Sequence, residues 1–176
     1  MRLFISVNFD EEVRRKLFRL QEAVKAQASR GSFSLPENFH LTLAFLGETE
    51  EKRLPVIRGI IEVIRGGPFD LSFTRSGCFT HSRKELWWIG VEDKGKGLSS
   101  LLDIRRQLRE GLKAAELVFD DRPFSAHVTL GREIRHEKPL SFPGVDITVP
   151  VRSISLMKSE HIERRLVYTE LFVRPL

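Results

Sequence analysis

The sequence predicts an α+β protein, with helices outside two mainly antiparallel sheets. Three observations predict it. Apolar runs of strand length alternate with amphipathic runs of helix length. The later strands follow one another through short turns, as hairpins do. And the order strand, helix, loop, strand occurs twice, at an offset near half of the 176 residues. Self-similarity at so long a period points to a duplicated lobe rather than to a solenoid, whose repeats run roughly 20–50 residues.

Residues 3–9 (LFISVNF) form the first apolar strand. Asp10 is a suitable N-cap for a helix to about residue 29, with Val13, Leu17, Leu20 and Val24 as its apolar stripe. Arg14, Arg15, Lys16 and Arg19 fall off that stripe and read as a solvated face. Gly31 breaks the helix, and residues 32–38 read as a loop. A strand at 39–47 follows, then a helix over 49–65 with Leu54, Ile57, Ile61 and Ile64 on one side. Gly66-Gly67-Pro68 stops it. Phe69, Leu71 and Phe73 alternate with polar residues in a strand that continues to a turn at 80–83. Residues 86–91 (LWWIGV) form the next strand, and 98–115 a helix. A loop with Asp, Arg and Pro leads to a strand at 126–131, and 132–143 is a charged connection. Ile147, Val149 and Val151, then Ile154, Leu156 and Met157, mark two further strands. A turn near 160–163 precedes a last strand at 166–173.

The chemistry-bearing stretch is the fourth of these elements, and it occurs twice. Phe39-His40-Leu41-Thr42-Leu43 and Ala126-His127-Val128-Thr129-Leu130 both read His-x-Thr-Leu, each with a proline four residues before the histidine. Alternation puts His40 and Thr42 on one strand face and Leu41 and Leu43 on the other. The same holds for His127 and Thr129 against Val128 and Leu130. Each strand offers an imidazole beside a hydroxyl, over an apolar back. Two such strands facing each other would bracket one small anion.

A formal charge of +5 and a pI near 9.7 favour an anionic partner such as nucleic acid or phosphate, although inert surfaces carry such an excess too. The lone Cys78 rules out an intramolecular disulfide and fits a reducing cytosol. Met1-Arg2 leads straight into a strand, unlike a signal peptide. No apolar run approaches the roughly 20 residues of a membrane helix. These features predict a cytoplasmic chain without a membrane partner. Residues 90–97 (GVEDKGKG) mimic a phosphate-binding P-loop, but Gly97 stands where that loop needs Ser or Thr for magnesium. The plainer reading is a Gly-rich turn at a helix start. No His-Glu-x-x-His and no carboxylate pair sits at metal-ligand spacing.

The doubled motif resembles that of the 2H phosphoesterase superfamily. Within it the chain is most similar to the RNA 2′,3′-cyclic phosphodiesterases, also called 2′-5′ RNA ligases. Leu3-Phe4-Ile5-Ser6, the two His-x-Thr stretches with Phe45-Leu46-Gly47 and Gly131-Arg132, Leu86-Trp87-Trp88-Ile89-Gly90 and the segment from Ser159 to Tyr168 carry the resemblance over nearly the whole length. Ala126 departs from the family's usual proline before the second histidine.

The resemblance implies one bilobal unit over 1–176, two pseudo-twofold-related sheets and a central cleft. It implies opening of RNA 2′,3′-cyclic phosphates to 2′-phosphates, and joining of such ends to 5′-hydroxyl ends through a 2′-5′ link. The partner implied is RNA with 2′,3′-cyclic phosphate ends, tRNA halves among them. No cofactor, no metal and a monomeric chain are expected. By resemblance His40 is the acid toward the 3′-oxygen, His127 the base, and Arg132 a phosphate contact. Strict alternation puts Arg132 opposite to His127, so the strand must end or twist first.

The residues agree with this chemistry. Opening the ring takes a base for water and an acid for the leaving ribose oxygen, and an imidazole with a pKa near 6.5 serves either role. Thr42 and Thr129 are placed to donate to the non-bridging oxygens as charge builds. Phe45 and one of Trp87 and Trp88 are candidates to stack a terminal base, or else core residues. His81, His136 and His161 read as surface residues. A non-catalytic RNA-end binding module, a P-loop nucleotide enzyme and a phosphodiesterase of a small cyclic nucleotide remain as alternatives.

Overall fold

A computed structural model describes residues 1–81, 84–92, 95–138, 140–141 and 144–176. Part of the expected turn at 80–83, the centre of the P-loop-like stretch (93–94) and part of the connection at 132–143 lie outside them, as does the side chain of His81.

The elements are β1 (Arg2–Asn8), α1 (Glu11–Lys25), β2 (Arg30–Phe33), a 3-10 turn (Pro36–Asn38) and β3 (His40–Glu48). A second 3-10 turn (Glu51–Arg53), α2 (Leu54–Glu62), β4 (Phe69–His81), β5 (Lys84–Val91) and α3 (Lys96–Ala114) follow. β6 (His127–Arg135), β7 (Ile147–Val151), β8 (Ser153–Ile162) and β9 (Arg165–Pro175) complete the chain. They build two antiparallel sheets, in the orders β3-β1-β8-β9 and β2-β6-β5-β4-β7. This is the predicted α+β class.

The two halves of the chain exchange strands between the sheets. β2 belongs to the first half but pairs with β6 of the second. β8 and β9, last in the chain, complete the sheet that β1 begins. β2 occupies what the sequence presented as a loop. Its residues, Arg-Gly-Ser-Phe, show no apolar alternation, and only the edge of β6 makes them a strand. The same pairing shortens α1. The Ser29 amide donates to the Arg135 carbonyl at 2.8 Å, which draws the chain off the helix after Lys25. It also keeps β6 extended to Arg135, where a connection was expected from residue 132. α2 is shorter than its predicted span because Pro55 fixes its start behind the 3-10 turn.

Asp10 caps α1 as expected, its carboxylate accepting from the Val13 amide at 2.8 Å. The apolar backs of the two histidine strands lie in one continuous core. Leu41, Leu43, Val128 and Leu130 meet Val13 and Leu17 of α1, Ile57 and Ile61 of α2, and Leu101, Ile104 and Leu108 of α3 there. Each such side chain stabilises the fold by about 1.5–3 kcal/mol on burial. These strands can therefore turn only their histidine faces outward. A long polar side chain of α1 also enters the core. Gln21 of α1 is buried, and its amide donates to the carbonyls of Ser34 and Leu130, each at 2.7 Å. It ties the helix to β6 beside Thr129.

Gly97 lies in the first turn of α3, where a Cβ would overlap the carbonyl oxygen of Asp70 in β4. Close helix–strand approach accounts for this glycine, at the position where a P-loop carries Ser or Thr. Gly97→Ala is expected to destabilise the protein by about 1–3 kcal/mol through overpacking. Urea unfolding of the variant beside the wild type measures it, and equal midpoints would show that the helix shifts freely.

Candidate active site

β3 and β6 present their polar faces to one cleft of about 740 Å³, lined by His40, Thr42 and Phe45 from one and His127, Thr129 and Arg132 from the other. The two imidazoles are held alike. His40 Nδ1–H donates to the carbonyl of Asn38 at 2.7 Å, and His127 Nδ1–H donates to that of Ser125 at 2.8 Å. Each acceptor lies two residues before its histidine, on the proline-led approach to the strand. In the first half the 3-10 turn with Pro36 and the buried ring of Phe39 fix that approach. In the second, the Ala126 carbonyl accepts from the Val91 amide at 3.1 Å and pins the strand start. Both bonds fix the tautomer and leave Nε2 for chemistry. At His40 that nitrogen accepts from the Thr42 hydroxyl at 3.0 Å.

Phe45 and Arg132 both stand five residues after their histidine, which strict alternation puts on the wrong face. Each reaches the cleft because its strand carries one extra residue. In β3, Thr42 faces Ser6 while Ala44 faces Ile5, so two steps of β3 match one of β1. In β6, Thr129 faces Trp88 while Gly131 faces Trp87, so two steps of β6 match one of β5. A second slip follows toward Ile134 and Arg135, against both β5 and β2, where Glu133 takes up φ 54°. A β-bulge after each His-x-Thr resets the alternation. The twist that Arg132 required is thus present, and Phe45 required one too.

Several lining residues were not among the predicted site residues. Tyr168 of β9 stands edge-on to His40, with ring centroids 5.2 Å apart, and Phe4 of β1 packs on both at 4.8 Å. Arg2, Arg164 and Arg165 join Arg132 around the cleft, and none of the four meets a carboxylate within ion-pair distance among the described residues. His161 is exposed on the cleft rim. His136 is not a surface residue. It is half-buried, bonded to Glu85 at 3.0 Å and packed on Trp87. Of the two tryptophans, Trp87 is buried in a small core of its own, while Trp88 lies beside His127. Among the described residues no three His, Cys, Asp or Glu side chains gather closely enough to hold a metal ion. No described helix is long and apolar enough to cross a membrane.

Burial dominates the electrostatics of the histidines. It pulls the His40 pKa down to about 4, opposed by the Asn38 carbonyl and assisted by the charges of Arg132 and His127. His127 is lowered too, first by burial, against the Ser125 carbonyl and with Arg132 adding to the fall. Burial also raises the Tyr168 phenol, while Arg132 and Arg2 pull it back. At neutral pH the free site therefore holds a neutral His40 among uncompensated arginines. Such a site favours a ligand that brings negative charge.

Comparison with known proteins places this arrangement. The family described as LigT like Phosphoesterase matches residues 7–88. The RNA 2′,3′-cyclic phosphodiesterase of Archaeoglobus fulgidus is 33% identical over 141 residues, 79% of this chain and 76% of that protein. That of Thermus thermophilus is 31% identical over 183 residues, 97% of this chain and 88% of its own. The crystal structure of Escherichia coli LigT complexed with 3′-AMP superposes with a TM-score of 0.86 at 27% identity, covering 99% of this chain and 97% of that one. The chain belongs to the 2H phosphoesterases, in the family of the RNA 2′,3′-cyclic phosphodiesterases.

The lowered His40 has a consequence for stability. Its folded pKa lies below the unfolded value of 6.5, so the unfolded chain binds more protons between those limits. Stability is complete above about pH 6.5 and falls as the pH drops toward 4, by on the order of 3 kcal/mol from this residue. His40→Asn should flatten that part of the profile. Thermal unfolding of both proteins from pH 7 to 4 measures the difference, and parallel profiles would show that His40 titrates normally.

Proposed function

We propose that the protein opens the 2′,3′-cyclic phosphate at the end of an RNA strand to a 2′-phosphate, by acid–base catalysis between His40 and His127. The observation that carries this reading is the matched pair of imidazoles. Both have Nδ1 committed to backbone, and both leave Nε2 for one cleft ringed by unpaired arginines. The curated relatives named as RNA 2′,3′-cyclic phosphodiesterases support the same substrate class.

His127 Nε2 takes a proton from water, whose oxygen attacks phosphorus. The P–O3′ bond breaks on the opposite side, and His40 Nε2–H protonates the leaving oxygen. For this His40 must first gain a proton, which its burial resists. The bound phosphate supplies the negative charge that raises its pKa. On protonation His40 becomes a donor at Nε2, and the Thr42 hydroxyl is released toward a non-bridging oxygen. Thr129 serves the other such oxygen and Arg132 balances the phosphate charge. Phe45, with the Arg2 guanidinium 5.1 Å from its ring centre, offers a stacking face to the terminal base. With a 5′-hydroxyl in place of water the same steps join two strands through a 2′-5′ link. RNA fragments with cyclic ends, tRNA halves among them, are the partners this reading assigns, and the chain acts as a cytoplasmic monomer.

The test is turnover of a cyclic-phosphate-ended oligonucleotide in EDTA, with the product identified. Rate against pH should be bell-shaped, because one imidazole must be neutral and the other charged. His40→Ala and His127→Ala should each lose at least ~10²–10⁴-fold, and the double variant far less than the product of the two. Thr42→Ala and Thr129→Ala should lose less than either. A folded His127→Ala protein with near wild-type turnover would sink the two-histidine mechanism. Tight binding of cyclic ends without turnover would make the protein an RNA-end binding module.

A further inference from the structure

Against His127, outside the cleft lining, stands an aromatic pair that the proposed hydrolysis does not use. Trp88 of β5 and Phe79 of β4 have ring centroids 5.4 Å apart and planes 33° from parallel. Both approach His127, Phe79 edge-on at 5.4 Å and Trp88 at 6.5 Å. In the sheet Trp88 faces Thr129 and Gly90 faces His127, so the indole belongs to the same sheet face as the second motif.

The indole lies flat, and two glycines make it do so. Gly77 is its partner across the β4–β5 ladder, and Gly90 is two residues on in β5. A Cβ at Gly77 would sit 2.5 Å from Cζ2 of the indole, and one at Gly90 2.7 Å from Cζ3. The ring thus rests across bare backbone on one face. Beside it Phe79 is 43% exposed, a large apolar side chain left uncovered next to the proposed base. A half-buried indole backed by glycine and a neighbouring exposed phenyl ring are the kind of pair that stacks a nucleobase.

We propose that Trp88 and Phe79 form a second nucleoside subsite, which stacks the base of the strand bearing the attacking 5′-hydroxyl. This rests on the assignment of His127 as the base. In an in-line displacement the nucleophile enters on the base's side and O3′ leaves on the acid's side. The terminal nucleoside occupies the His40 side, beside Phe45. Whatever stacks next to His127 is therefore placed to present its own hydroxyl to phosphorus. Its O–H proton passes to His127 Nε2, the new P–O5′ bond forms as P–O3′ breaks, and O3′ takes the proton of His40. The product is a 2′-5′ diester, with no other reactant needed. A site that used only water would have no use for an exposed Phe79 stacked beside Trp88 against His127.

The protein has two tryptophans, and Trp87 is buried. Quenching of tryptophan emission therefore reports on Trp88. A 5′-hydroxyl trinucleotide, added to protein already saturated with a nucleoside 2′-phosphate, should quench further, and Trp88→Phe should abolish that step. In kinetics, Trp88→Phe and the exposed Phe79→Ala should lower the ratio of joining to cyclic phosphate hydrolysis, Phe79→Ala by about five- to a hundredfold, as loss of a base–aromatic stack does. Quenching by the nucleoside 2′-phosphate alone, with joining and hydrolysis falling together, would assign the platform to the terminal nucleoside and overturn the proposal. So would an unchanged ratio in both variants. Absence of turnover in the wild type would instead defeat the proposed hydrolysis, and the quenching experiment would still decide the subsite.

Discussion

A β-strand shows one face only at alternate residues. The cleft takes three side chains from each of two strands, and in each strand the third is out of phase with the first two. One inserted residue resolves this in β3 and again in β6, and the burial patterns around the two bulges match. The insertions cost ladder regularity. They convert a histidine–threonine pair into a triad that adds Phe45 on one side and Arg132 on the other. Had the two strands been regular, the cleft would lack both Arg132 and Phe45.

The two imidazoles stand on equivalent backbone but not in equivalent surroundings. Each is tied by Nδ1 to the carbonyl two residues before it. His40 is enclosed by Phe4 and Tyr168, and its neutral form prevails. His127 lies against Phe79 and Trp88 at the other edge of the cleft. A duplicated motif thus acquires two different environments from its neighbours. The strand exchange makes this possible. Tyr168 reaches His40 because the last two strands close the first sheet, and β2 braces β6 through Ser34, whose hydroxyl donates to the Thr129 carbonyl at 3.0 Å.

Unpaired arginines at the cleft contrast with those on the outer face of α3. There Arg106 bridges Asp103 and Glu110, and Arg109 binds Asp121. Exposed pairs of that kind contribute little to stability. Among the described residues the cleft arginines meet no carboxylate, which leaves the cleft positively charged. The net charge of +5 alone could not make that distinction, because it does not say where the excess sits.

The sequence by itself determined the α+β class, the two His-x-Thr faces and most of the core. Those features are local. Alternation at Leu41, Leu43, Val128 and Leu130, and the helical stripe of Val13, Leu17 and Val24, follow from chain geometry whatever lies opposite. Tertiary structure decided the rest. Arg30 to Phe33 become a strand only because β6 offers an edge, and no periodicity of their own announces it. The bulges are shifts of register between partners distant in the chain, so neither shows in the spacing of Phe45 or Arg132. Trp87 and Trp88 are adjacent and chemically alike. Alternation sends them to opposite faces, but only the packing of Val24 and Ile134 decides that Trp87 is the core one, while glycines at 77 and 90 leave room for the Trp88 ring. The depressed pKa of His40 likewise arises from what covers it, and that covering comes from β1 and β9, some 36 residues before it and 128 after it at the rings of Phe4 and Tyr168.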